Sequence, residues 1–176
     1  MTQLATTHTF RELTLTAMPD ASEADPQTLH QVLPTYYEVP RGCGVHTMLD
    51  DRMEPLMHRG DMAVIDFNDR DLVPGELYLL LNGNGPQLWQ IVYEPKTNRE
   101  RMGRARGDCV WMHPLNRPRS KAECDRWVRE RRPLRTSDGP LKTEALPETM
   151  LGKAIGFYCN PREAAKYGRG PWAQSA

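Results

Sequence analysis

A mainly-β fold is predicted for this chain of 176 residues. Three observations predict it. Between Gly44 and Val92 the apolar residues come in strand-length runs bounded by Gly, Asp, Asn or Pro, and the signal is β throughout. The tetrad Asn82-Gly83-Asn84-Gly85 separates two of these runs, and Asn-Gly readily takes the positive φ angles of a tight hairpin turn. Nothing in the first forty residues has the length or period of a helix-turn-helix module.

Taken in order, residues 8–17 are Thr-rich and alternate over their second half, which predicts an edge strand. Residues 18–35 carry Pro, Asp, Ser and Glu and predict a loop, with one short helical turn near Leu29. Strands are predicted over 45–49, 62–66, 76–81 and 88–93. Gly60-Asp61 opens the second of these and Pro74-Gly75 precedes the third. Residues 94–119 read as irregular and basic. Ser120-Lys121-Ala122-Glu123 is a capping box, in which the serine and glutamate each satisfy an orphan backbone N–H. It predicts a helix to about Arg132, stopped by Pro133, with Cys124, Trp127 and Val128 on one face. A last strand is expected over 151–158. Asn160-Pro161 then caps a short helix ending at Gly168. The organisation is therefore an N-terminal extension over 1–40, a β domain over 41–160 with a basic insertion at about 94–148, and a C-terminal helix and tail over 161–176.

The formal net charge is zero, so no global field points to nucleic acid or to a membrane surface. The charge is unevenly spread, however. Residues 96–135 hold thirteen Lys/Arg against five Asp/Glu, whereas residues 1–95 hold five basic against fourteen acidic side chains. Cys43, Cys109, Cys124 and Cys159 form no C-x-x-C pair, and the N-terminus has no basic region followed by an apolar core. Reduced thiols and a cytoplasmic location are expected, with no membrane partner. There is no Walker or dinucleotide glycine pattern, and no cofactor is expected.

One segment carries more information than the rest. Asp50-Asp51-Arg52-Met53-Glu54-Pro55 is followed after four residues by Gly60-Asp61 and the apolar run 62–66 ending in Asp66. Gly75-Glu76, a hairpin, and Leu151-Gly152-Lys153-Ala154-Ile155-Gly156 follow in that order. This pattern resembles the catalytic domain of the LexA/UmuD-type self-cleaving serine peptidases, the family of phage repressor C-terminal domains. Its members read roughly Gly-Asp-Ser-Met-x-Pro, a few residues, Gly-Asp, then an apolar strand. The resemblance covers just under a third of the chain. It implies a LexA-like fold of bent antiparallel sheets with a β-ribbon, here with a basic insertion containing one helix and a short C-terminal helix. It also implies a homodimer and a regulatory role in a bacterial or phage setting.

The departures fall on the chemistry. In that family a serine attacks a peptide carbonyl after a neutral lysine takes its proton. Arg52 stands at the serine position, and a guanidinium is a permanent cation and no nucleophile. The lysine position falls at about Trp89, which cannot act as a base. Ser22, Ser120, Ser137 and Ser175 all lie outside the matched block, and His46 and Thr47 lie on the strand before the turn. The chain is therefore expected to be a degenerate member that is no enzyme. Arg52 either pairs with Asp50 or Asp51 or projects into solvent, and solvent is the favoured reading. Trp89 is expected to fill core or cleft.

Two other features carry chemistry. Arg99, Arg101, Arg104, Arg106, Arg117, Arg119, Arg126 and Arg129, interleaved with Tyr93, Trp111 and His113, suit phosphate neutralisation and base stacking. The same arginines could dock on an acidic protein surface, a neighbouring copy included, pair within the chain, or be solvated surface. Cys109-x-x-x-His113 with Cys124 lacks the tight paired spacing of a structural zinc site, and no metal is expected.

Overall fold

The computed structural model describes residues 33–160. The predicted strand over 8–17, the turn near Leu29 and the helix over 161–168 lie outside them. The described residues form one eight-stranded sheet. In chain order the strands are β1 (Thr35–Tyr36), β2 (Cys43–Thr47), β3 (Met62–Asp66), β4 (Leu77–Asn82), β5 (Gly85–Tyr93), β6 (Cys109–His113), β7 (Asp138–Lys142) and β8 (Met150–Tyr158). Helices α1 (Lys96–Met102), α2 (Lys121–Arg129) and α3 (Leu146–Thr149) sit in the connections. The spatial order is β2-β3-β8-β4-β5-β6-β7, with β1 also on β8. Every pairing is antiparallel except that of β1 with β8.

β8 is the spine. Its C-terminal half pairs with β3 through Met62↔Tyr158 and Val64↔Gly156, and its N-terminal half with β4 through Tyr78↔Lys153 and Leu80↔Met150. The register shifts once against each partner, leaving Ile155 and Leu151 as extra residues on β8. Such bulges bend a strand and sharpen its twist. Two glycines make the close approaches affordable. A Cβ on Gly152 would lie 2.3 Å from the Asp66 carbonyl oxygen, and one on Gly156 would lie 2.4 Å from that of Pro34.

The apolar run of β4 is continuous because both of its faces are covered. Leu77 and Leu79 join Leu88, Ile65, Ala154, Met53 and Met57 in one buried cluster. Tyr78 and Leu80 join Trp89, Ile91, Val110, Met112 and Met150 in another, on the opposite face. The hairpin turns at Asn82-Gly83-Asn84-Gly85, where the sequence predicts it, with Asn82↔Gly85 closing the ladder; of the four, only Gly85 takes a positive φ, at 95°.

The basic stretch is not irregular. Residues 94–119 contain α1 and β6, and β6 extends the sheet beside β5. β7 then pairs with β6, so the insertion carries two strands, the helices α1 and α2 and most of α3, rather than one helix. α1 escapes prediction because it buries no residue and so has no apolar stripe. β6 escapes because arginines flank it on both sides.

α2 begins as expected: Ser120 Oγ accepts from Glu123 N at 3.2 Å, and Glu123 Oε2 accepts from Arg119 N at 2.6 Å. It ends at Arg129 rather than Arg132, because Arg131 turns left-handed at φ 55° and Arg132 N returns to the Trp127 carbonyl at 2.9 Å. Only Trp127 of the expected apolar face is buried; Cys124 is half-buried and Val128 exposed.

Gly152→Ala should cost roughly 3 kcal/mol, since the new methyl meets backbone that cannot rotate away. Gly83→Ala, with nothing within 4 Å of its Cβ, should stay within about 0.5 kcal/mol of wild type. Chemical denaturation of the two variants checks the contrast.

Candidate functional site

The excursion between β2 and β3 closes on itself. Met48 N donates to the Asp61 carbonyl and Gly60 N to that of Met48, both at 2.8 Å. Met53 and Met57, joined by a Met57 N to Met53 O hydrogen bond at 3.0 Å, are fully buried and anchor the loop in the core. β6 pairs only with residues 90–93 of β5. The loop contacts the first half of β5, where β6 has stopped.

There Arg52 is held on four sides. Its Nε donates to both carboxylate oxygens of Asp50 at 3.0 Å, and Nη2 to Oδ2 at 2.8 Å. Nη1 donates to Gln87 Oε1 at 2.7 Å, and Gln87 Oε1 also accepts from Asn82 Nδ2 at 2.6 Å. The guanidinium carbon lies 4.8 Å from the centre of the Trp89 ring. Asn116, just past β6, donates its backbone N–H to the Arg52 carbonyl and its side chain to Asp51 O and Glu54 Oε2, all at 2.9 Å.

The expectation that Arg52 projects into solvent is therefore corrected. Its side chain is only 13% exposed, because a partly desolvated cation gains from a bidentate carboxylate and an aromatic face together. Trp89 fills the cleft as expected and is 8% exposed. Its indole N–H is buried with no hydrogen-bond partner among the described residues, so the ring contributes its face alone. Arg135 adds a second cation at 3.4 Å from Asp50 Oδ2. Burial pushes the Asp50 carboxyl up, but the Arg52 hydrogen bonds and the charges of Arg52 and Arg135 outweigh it and hold it below its ordinary range.

An open cleft of about 170 Å³ adjoins this cluster, lined chiefly by Asp51, Glu54, Asn116, Trp127, Arg132 and Arg135. Arg132 stacks over Trp127 at 4.0 Å. Ser137 Oγ and His113 Nδ1 form a hydroxyl–imidazole pair. Burial first, and the Arg117 charge second, push the His113 pKa down to about 4. An imidazole that weak is a poor general base at neutral pH, and the pair forms a half-buried hydrogen bond.

The eight arginines of the basic segment fall into two groups. α1 lies before β6 and α2 after it, so the strand holds the two groups at its opposite ends. At the first end Arg104 is committed to the buried Glu94 at 2.9 Å, Arg106 lies 5.3 Å from the Tyr93 ring, Arg99 is half-buried and Arg101 exposed. At the second, Arg117 is half-buried, Arg126 pairs with Glu123 at 3.8 Å, and Arg119 and Arg129 are exposed. Cys109 and His113 likewise sit at the two ends of β6, and no group of three or more His, Cys, Asp or Glu able to hold a metal occurs among the described residues. All four cysteines are free.

Sequence reasoning missed Gln87, Asn116 and Arg135 as members of the site. No local pattern marks them, since each comes to Arg52 or Asp50 from more than thirty residues away.

Arg52→Ala should destabilise the protein by roughly 2–3 kcal/mol, because it strips Asp50 of its closest partner and uncovers Trp89. Arg52→Lys should recover less than half of that loss, since an ammonium cannot make the bidentate contact; thermal melts of both variants check it. His113 sets a second expectation. Its folded pKa of about 4 lies below the ordinary histidine value of about 6.5, so the unfolded chain binds the proton first. The stability it contributes is complete above about pH 6.5 and falls progressively toward pH 4. Melts of wild type against His113→Gln across that window should show a steeper acid loss in wild type.

Compared with protein-family models, with curated proteins and with solved structures, the chain has no match in any of the three.

Proposed function

We propose that the chain is a non-catalytic relative of the LexA-type self-cleaving peptidases, acting as a regulatory protein-association module. The observation that carries this reading is the state of Arg52. At the position where that family has its nucleophile, this chain has a guanidinium locked to Asp50 and seated on Trp89. At the position of the family's base it has the indole itself. Both halves of a serine–lysine pair are replaced, and the replacements bind each other. Met53 and Met57 still anchor the loop, which fits a scaffold retained after its chemistry was lost. The regulatory role and the bacterial or phage setting rest on the resemblance alone.

A second reading, a nucleic-acid-binding regulator, is favoured by one observation. Arg119, Arg129 and Arg131 are exposed around α2 and make no ion pair among the described residues. That reading now concerns the α2 end of β6 rather than the whole basic segment.

Prolonged incubation at alkaline pH followed by intact-mass measurement should return a single unchanged mass, and fragments from self-cleavage would sink the proposal. Sedimentation of the same sample should show association. Titration with duplex DNA at low salt should give no binding. A complex that weakens steeply as salt rises would favour the second reading instead.

A further inference from the structure

β2 stands at one end of the strand order and, among the described residues, pairs only with β3. Met48 N donates to the Asp61 carbonyl, which fixes the phase of that ladder. Bonded and open pairs alternate in an antiparallel ladder. With Thr47 opposite Met62 and His46 opposite Ala63, His46 and Gly44 bond inward to β3. Val45 and Thr47 therefore turn their N–H and C=O groups outward. Cys43 obeys the same phase, since its N–H points away from β3 to the Pro40 carbonyl at 3.0 Å.

The two ends of the sheet are finished differently. β7, at the far end, carries Asp138, Lys142 and Pro140, the residue types that keep a strand edge from pairing. β2 is Cys-Gly-Val-His-Thr, with no charge and no proline. Val45 is 39% exposed, and Leu49 just beyond it is 73% exposed.

We infer that β2 pairs antiparallel with β2 of a second copy, about a two-fold axis through His46. The inference rests on the association reading above and locates the surface involved. The outward-bonding residues are placed symmetrically about His46, so the axis sets Val45 opposite Thr47 of the second copy, and the reverse. Each such pair exchanges two backbone hydrogen bonds, which makes about four across the interface. An uncharged edge meets its own image without like-charge repulsion, whereas the arginines around α2 would not. Burial keeps the His46 imidazole toward its neutral form, so the two rings facing each other at the axis do not repel.

Sedimentation equilibrium on the full chain tests this with two variants. Val45→Lys puts two cations beside the axis. Thr47→Pro removes an outward N–H that the β2–β3 ladder does not use. Each should weaken the dimer by about tenfold or more, with the melting temperature of the dissociated protein unchanged, while Leu81→Lys on β4 should leave association intact. A dimer unaffected by both β2 variants overturns the edge assignment and leaves the association reading standing. A wild-type chain that is monomeric at every concentration overturns both. Should a variant fail to fold, amide exchange on wild type decides. Protection of the Val45 and Thr47 amides should rise with protein concentration, and concentration-independent exchange there overturns the pairing.

Discussion

Everything in this sheet hangs on the close approach of backbone to backbone along β8. One strand serves β3 on one side and β4 and then β1 on the other. It can do so because Gly152 and Gly156 leave room where a methyl would strike a carbonyl oxygen. The bulges at Leu151 and Ile155 add the bend that lets one sheet serve two cores. β4 and β5 are consequently buried on both faces. The loop that carries Arg52 inherits a rigid wall, formed by the part of β5 that β6 does not cover.

Electrostatics then settles what that wall holds. Arg52 would lose hydration on entering the cleft, and an isolated cation would not stay there. Asp50 supplies two oxygens, Gln87 a third, and Trp89 a π face. Arg135 shares the same carboxylate, so Asp50 sits between two cations. Asn116 holds the backbone of Arg52 from the segment after β6. The inserted strands and helices are thereby tied to the loop they cover.

Much of the β framework was legible from residue order. Met62–Asp66 matches its predicted span, the Asn-Gly hairpin turns where expected, and Ser120 caps α2. These features are local, written in turn chemistry and apolar runs. β6 and β7 were not legible, because arginines around the first and the Asp-Gly-Pro opening of the second hide their alternation. The site was half legible. Asp50, Arg52 and Trp89 stood out, while the burial of Arg52 depends on Gln87 and Arg135, whose approach is set by the folded sheet. The arginines of 96–135 are close in sequence, whereas β6 stands between the α1 and α2 groups, and residue order alone does not reveal that strand.

The Arg52 contacts carry a consequence for substitution. Replacing that residue alone takes one partner each from a carboxylate and an amide and uncovers an aromatic face, so a single change there is penalised at three places at once. Residues 50, 52, 87 and 89 are thus coupled through one guanidinium. A substitution at any one of them is felt by the other three, and a serine placed at 52 would meet a neighbourhood built around a cation.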